Sequence, residues 1–197
     1  MARVPLVPTG DAGLLGRLAY RIARRRYGAV PEPAAVMMWH RPVFWTYALW
    51  ELGNEKALRR LPASLRELVV YRVAIRVGCS WCVDFGTMLQ RHHGLDIERL
   101  RELEHYRTSS AFTPLERRAL VYADAITDLP TTVTDEMVAE LDAELGHHGV
   151  VELTYAIAVE NHRARFNHAL GITDQGFTSG QACRMPLPGS ARTEAPQ

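Results

Sequence analysis

Apolar residues recur along this chain at the spacing of helical faces, and nowhere do they alternate as a half-buried strand requires. That pattern predicts an all-α fold. A first helix is expected from Ala12 to Tyr27, carrying Leu14, Leu15, Leu18 and Ile22, with Asp11 as its cap. Pro31-Glu32-Pro33 breaks it. A second helical region runs from about Ala34 to Leu52, divided by Pro42 and rich in aromatics: Trp39, Phe44, Trp45, Tyr47 and Trp50. The run Pro62-Ala63-Ser64-Leu65-Arg66-Glu67 opens a third helix to about Val77, with Ser64 and Glu67 at the spacing of a capping box. Gly78 ends that helix, and another begins near Ser80 and stops before Gly94.

A short helix is expected from about Ile97 to Tyr106. Thr113-Pro114-Leu115-Glu116 starts the next, which runs to Leu129. Thr134 caps a helix to Leu145, and Gly149 precedes a long last helix to Leu170, closed by Gly171. Val70-Tyr71 and Ala74 recur in type and spacing as Val121-Tyr122 and Ala125, which reads as two amphipathic helices with similar faces. Residues 1–33 form an N-terminal helix and linker, 34–172 a helical domain, and 173–197 a tail or arm rich in Gly, Pro, Ser and Thr.

A chain of 197 residues with 47% hydrophobic and 23% charged content can bury one good-sized core. Its net charge of +1 gives no global field toward nucleic acid or an acidic partner. Arg17, Arg21, Arg24, Arg25 and Arg26 form one short basic run, read as the solvated face of the first helix, with a membrane-surface or nucleic-acid role as the lesser alternative. No stretch approaches the length of an apolar membrane span, and Met1-Ala2-Arg3-Val4-Pro5 lacks an apolar signal core. The expected location is the cytoplasm. Three cysteines do not make a disulfide framework in a chain of this size.

Two of those cysteines stand in Cys79-Ser80-Trp81-Cys82, at the predicted start of a helix. A helix N-terminus favours the thiolate, the reactive form of cysteine, and two thiols so placed can close on each other. Glu67, twelve positions upstream, is a carboxylate able to pass protons to or from the pair, or else merely the capping residue of its own helix. Redox chemistry is the leading reading of the pair. Plain packing is one alternative. Half of a zinc site, completed by Cys183, His92 and His93, is the other, although no second pair and no usual His spacing accompany it.

The segment from Glu67 to Gly94 resembles the signature of the carboxymuconolactone decarboxylase and alkylhydroperoxidase D-like proteins: a glutamate, twelve residues to a Cys-x-x-Cys, then a helix ending in glycine. Cys82-Val83-Asp84-Phe85-Gly86 is similar to a variant in peroxidase-related members. The stretch Glu160-Asn161-His162-Arg163-Ala164-Arg165-Phe166-Asn167-His168-Ala169-Leu170-Gly171 resembles the terminal helix of longer members. The resemblance implies an alkylhydroperoxidase D-like helical domain in an obligate homo-oligomer, a trimer or hexamer, with no bound organic cofactor and no metal. It implies that Cys79 and Cys82 are the redox pair, with Cys82 attacking a small organic hydroperoxide and Cys79 closing the disulfide. Glu67 would be the proton relay, and a lipoyl-protein or thioredoxin-like dithiol the reductant.

One departure bears on this. Peroxidatic members carry a histidine four residues after the second cysteine, here Gly86, and some carry one just before it, here Trp81. Asp84, Tyr71, His92 and His93 are the residues that could substitute, provided the fold brings them close. The altered motif leaves open a decarboxylase, lyase or isomerase on the same scaffold, or a non-enzymatic metal- or ligand-binding oligomer. His92 and His93 otherwise suit a helix C-terminus, and Asp84 a first turn. His162 and His168 face solvent or a neighbouring subunit, or else act as ligands. Trp39, Trp45 and Trp50 are core or interface aromatics before they are pocket walls. Cys183 is a bystander thiol unless a swapped arm carries it to a site.

Overall fold

The computed structural model describes residues 2–178; Cys183 and the expectations placed on it lie outside them. Among the described residues there is no strand. Seven α-helices follow in order: α1 (Gly13–Tyr27), α2 (Glu32–Met37), α3 (Arg41–Ala57), α4 (Ala63–Val77), α5 (Ser80–His92), α6 (Pro114–Thr127) and α7 (Asp135–Ala169). The short helix expected between α5 and α6 is a 3₁₀ helix (Glu98–His105).

α4 is the centre of the molecule, packed against α5, α6 and α7. Its apolar residues fall on two faces. Leu65, Val69 and Val73 recur every four residues and meet Ala119 and Ala123 of α6 and Leu153 and Ile157 of α7. Leu68, Tyr71 and Ala74 meet Val83 and the two cysteines on the other side. Val69, Val73, Leu153 and Ile157 are fully excluded from solvent. Each such side chain contributes about 1.5–3 kcal/mol of burial.

Local chemistry sets most helix ends. Gly78 takes a left-handed conformation (φ 78°), open to glycine at little cost, and stops α4. Thr113 and Glu116 form the expected capping box at α6, each side chain bonded to the other's backbone N–H. Thr134 caps α7 through the Met137 N–H.

Several boundaries differ from expectation. Asp11 does not cap α1; Ala12 holds that position and no side chain bonds there. α2 begins at Glu32, with Pro33 in its first turn, where a proline's missing N–H costs nothing. α3 runs on to Ala57. The Ser64–Glu67 box does not form, because Pro62 occupies the cap position. α6 stops at Thr127, as Asp128 is extended. The break in the last helix falls at Gly146 (φ 66°), and Gly149 is a buried position within the helix, close to Leu61.

α1 is turned the other way from a simple amphipathic reading. Its small and aromatic residues Gly16 and Tyr20 lie against the body, with Met38 close to Gly16. Leu14, Leu15, Leu18 and Ile22 point outward, 53–85% exposed. The five arginines of the basic run are also exposed. No described helix is long and apolar enough to cross a membrane.

Candidate active site

The turn between α4 and α5 places the cysteine pair. With Gly78 left-handed, the Cys79 N–H reaches back to the Ala74 carbonyl (2.9 Å) and the chain reverses into α5. Cys79 becomes the cap residue of α5, and its Sγ accepts the Cys82 N–H at 3.2 Å. The two sulfurs are joined as a disulfide, with Cα atoms 5.3 Å apart. Both residues are buried, Cys79 1% exposed and Cys82 7%. They belong to a buried apolar cluster that also holds Tyr71, Ala74, Val83, Ala164 and Ile172.

One polar side chain reaches both sulfurs. Asn167, buried in the last turn of α7, donates its Nδ2–H to Cys82 Sγ (3.4 Å) and Cys79 Sγ (3.7 Å). After α7 the chain turns at Gly171 (φ 63°) and crosses the start of α5 as a strap. The Asp174 N–H meets Ser80 Oγ at 3.3 Å. The Gln175 side chain accepts from Trp81 Nε1 and from the Glu32 N–H, and donates to the Val30 carbonyl. Phe177 packs edge-on to Phe85 and Trp81, which stack on each other with centroids 4.7 Å apart. Residues 173–178, expected as the beginning of a tail or arm, are therefore seated on the fold.

Asp84 fastens this strap. Its two oxygens accept the N–H groups of Gln175, Phe177 and Thr178 and the Thr178 hydroxyl, at 2.7–3.0 Å. A carboxylate has about four good acceptor positions, and these four bonds fill them.

The other residues singled out from the sequence fall in different places. Tyr71 is buried beside the pair; its hydroxyl accepts from Thr87, and its ring lies 3.6 Å from where a Cβ at Gly86 would stand. Glu67 lies one turn before Tyr71 on the same side of α4 and is bonded to Arg66 at 3.3 Å. His92 and His93 are exposed at the far end of α5, about 15–21 Å along the helix from the cysteines. They join neither a relay nor a common metal set with Cys79 and Cys82. Trp39 is largely exposed and bonded to the Pro5 carbonyl; Trp45 packs on Phe44; Trp50 reaches Tyr155 and lies edge-on to His162.

A charged cluster lies further back along α7. Glu160 is 4% exposed and shares Arg163 with Glu51 of α3. Burial pushes the Glu160 carboxyl up to about 7; Arg163 opposes this, while the charges of Glu51 and Glu67 add to it. Burial likewise holds the Tyr47 hydroxyl well above its usual range, with Glu51 adding to the rise.

Against this geometry, comparison with known proteins is decisive. Residues 42–125 match the carboxymuconolactone decarboxylase family. YnjA of Escherichia coli (strain K12), whose function is not characterised, is 32% identical over 92% of this chain and 97% of its own length. The chain belongs to the carboxymuconolactone decarboxylase family. YdfG of Bacillus subtilis (strain 168), also without a characterised function, is 29% identical over 54% of this chain and 73% of its own. Among solved structures, the debrominase Bmp8, determined free and with 2,3,4-tribromopyrrole, superposes with a TM-score of 0.75 at 18% identity. The superposition covers 88% of this chain and 92% of Bmp8. ATU0492 from Agrobacterium tumefaciens, a protein of unknown function named as a candidate antioxidant defence protein AhpD, superposes with a TM-score of 0.57 at 26% identity. That likeness covers 62% of this chain and 86% of ATU0492.

The region matched to the carboxymuconolactone decarboxylase family contains Glu67, Tyr71, Cys79, Cys82 and Asp84. It does not contain Asn167 or Gln175, the residues that close over the pair. Motif spacing does not single them out. The only available signal was the likeness of the Glu160–Gly171 stretch to the end of longer family members.

Proposed function

We propose that this protein is a thiol-dependent oxidoreductase that reduces small organic hydroperoxides through Cys79 and Cys82. The observation that carries this reading is the pair itself: two sulfurs at a helix start, near enough to bond, in a small buried site. The Cys82 thiolate attacks the terminal peroxide oxygen, the O–O bond breaks, and the alkoxide leaves as an alcohol after taking a proton. Cys79 then attacks the resulting sulfenic acid, releasing water and leaving the disulfide. An external dithiol returns two electrons. A lipoyl group on a flexible arm suits this disulfide better than a rigid thioredoxin-like surface, because the strap covers Ser80 and Trp81. Glu67, free of any capping duty, is the carboxylate that takes up and returns protons. The outward leucines of α1 are the surface through which copies of the chain associate as a homo-oligomer.

A second reading is favoured by the aromatic wall of Trp81, Phe85 and Phe177 beside the pair, and by the likeness to a debrominase. In that case the pair reduces a halogenated aromatic ring: carbon–halogen becomes carbon–hydrogen, halide leaves, and the two thiols become the disulfide.

Stopped-flow oxidation of the reduced protein by cumene hydroperoxide, with thiols counted before and after, tests the first reading. Rapid loss of two thiols, abolished in Cys82→Ser, is expected. No reaction over minutes, with a brominated pyrrole oxidising the same thiols, moves the function to the second reading.

A further inference from the structure

The two sulfurs share the Asn167 amide, but only Cys79 also has a donor from the α5 backbone. The free N–H groups of the α5 start are aimed at Cys79, which accepts the Cys82 N–H as its cap bond. Cys82 lies inside the first turn and has no such bond from its own helix. Among the described residues its one hydrogen-bond donor is the Asn167 amide, at 3.4 Å, closer than that amide stands to Cys79. The positions from which an imidazole would act hold Gly86 and Trp81, and the Trp81 N–H is turned away to Gln175. Tyr71 and Thr87 bond to each other, and Asp84 is filled by the strap. Among the described residues, Cys82 otherwise belongs to a buried apolar cluster, and apolar surroundings disfavour a thiolate.

We propose that Asn167 is a catalytic residue: its side-chain N–H holds Cys82 as the thiolate once the disulfide is reduced, in place of the absent imidazole. This inference rests on the thiol-redox reading. The fold delivers the amide by close packing. Ala164, one turn earlier on α7, is fully buried and lets the helix approach the cysteines, and the Ile172 N–H bonds back to the Asn167 carbonyl. An amide is a weaker donor than an imidazolium, but it needs no protonation of its own. Its stabilising bond is therefore the same at every pH, whereas a histidine partner would lose its charge as pH rises.

The test is a pH titration of thiolate ultraviolet absorbance in the full-length reduced chain carrying Cys79→Ser and Cys183→Ser, so that Cys82 is the one thiol. It is repeated with Asn167→Leu, which keeps the branched shape and the number of side-chain heavy atoms, and with Asn167→Ala. One donor to a buried anion is worth about one pH unit, or a tenfold change in the thiolate-to-thiol ratio. Both variants are expected to raise the Cys82 midpoint by that amount while the circular dichroism of the helices is retained. An unmoved midpoint in a folded Asn167→Leu protein overturns the proposal and leaves Asn167 a packing residue. No peroxide enters the titration. A shifted midpoint in a protein that ignores hydroperoxides would therefore reject the proposed reaction and keep Asn167's role, whereas an unmoved midpoint in a protein that consumes them would do the reverse.

Discussion

Glu160→Gln is expected to stabilise the protein above neutral pH. Glu160 shares one guanidinium with Glu51, which already holds Arg163 through two bonds, and Glu67 adds a further negative charge nearby. Burial, the largest influence, keeps the carboxyl protonated in the fold up to about 7, against an ordinary value of 4.5. Between those values the folded state binds a proton that the unfolded chain has released. Folding is therefore favoured at the acidic end of the window and loses stability as pH rises through it. By pH 8 the forced ionisation costs the fold about 3 kcal/mol. Glutamine keeps the shape, offers Arg163 an acceptor oxygen and does not titrate. Urea unfolding at a series of pH values, with unchanged slopes, measures the difference. The variant should match the parent near pH 5 and exceed it by about 2–3 kcal/mol at pH 8. Parallel loss of stability in both proteins across this window, or a less stable variant at pH 8, refutes the reasoning.

Asp84→Ala removes four hydrogen bonds at once and is expected to free the strap. Amide exchange at Gln175, Phe177 and Thr178 should rise at least tenfold, since even one bond to a carboxylate is worth about 1.5–3 kcal/mol; disulfide reduction by a small thiol should quicken with it. Thr113→Ala takes away the capping box of α6, and thermal unfolding should show a loss of about 1 kcal/mol with the site chemistry unchanged. Leu153→Ala empties a fully buried position between α4, α6 and α7 and should cost about 2–5 kcal/mol in denaturant unfolding.

The features legible in the sequence are those that act over a few residues. Gly78, Cys79 and the Thr113–Glu116 box each fix a helix end through bonds to near neighbours, and each stands where spacing put it. The repeated Val-Tyr pattern also has a physical counterpart. Tyr71 bonds to Thr87, which in turn bonds to the Val83 carbonyl, and Tyr122 bonds to Thr154, which bonds to the Val150 carbonyl. The same hydroxyl pair thus ties α4 to α5 and α6 to α7. What spacing could not give was competition and distance. Ser64 and Glu67 have the pattern of a cap, yet Pro62 takes the register. The periodicity of α1 marks an apolar stripe without saying that its small side is the one that docks. Asn167 reaches the sulfurs across 85 and 88 positions of chain, and Asp84 binds residues more than 90 positions away. Neither link leaves a local pattern.

Of the four tryptophans, Trp81 alone lies between the cysteines. Its indole stacks on Phe85, is bonded to Gln175, and is held within the short loop that the disulfide closes. A disulfide quenches a neighbouring indole and a pair of thiols does so far less, so opening and closing of the bond is written into the protein's own emission. The molecule thus carries a fluorophore beside its cysteine pair, and the oxidation state of that pair can be followed without a dye, a coupled enzyme or a label.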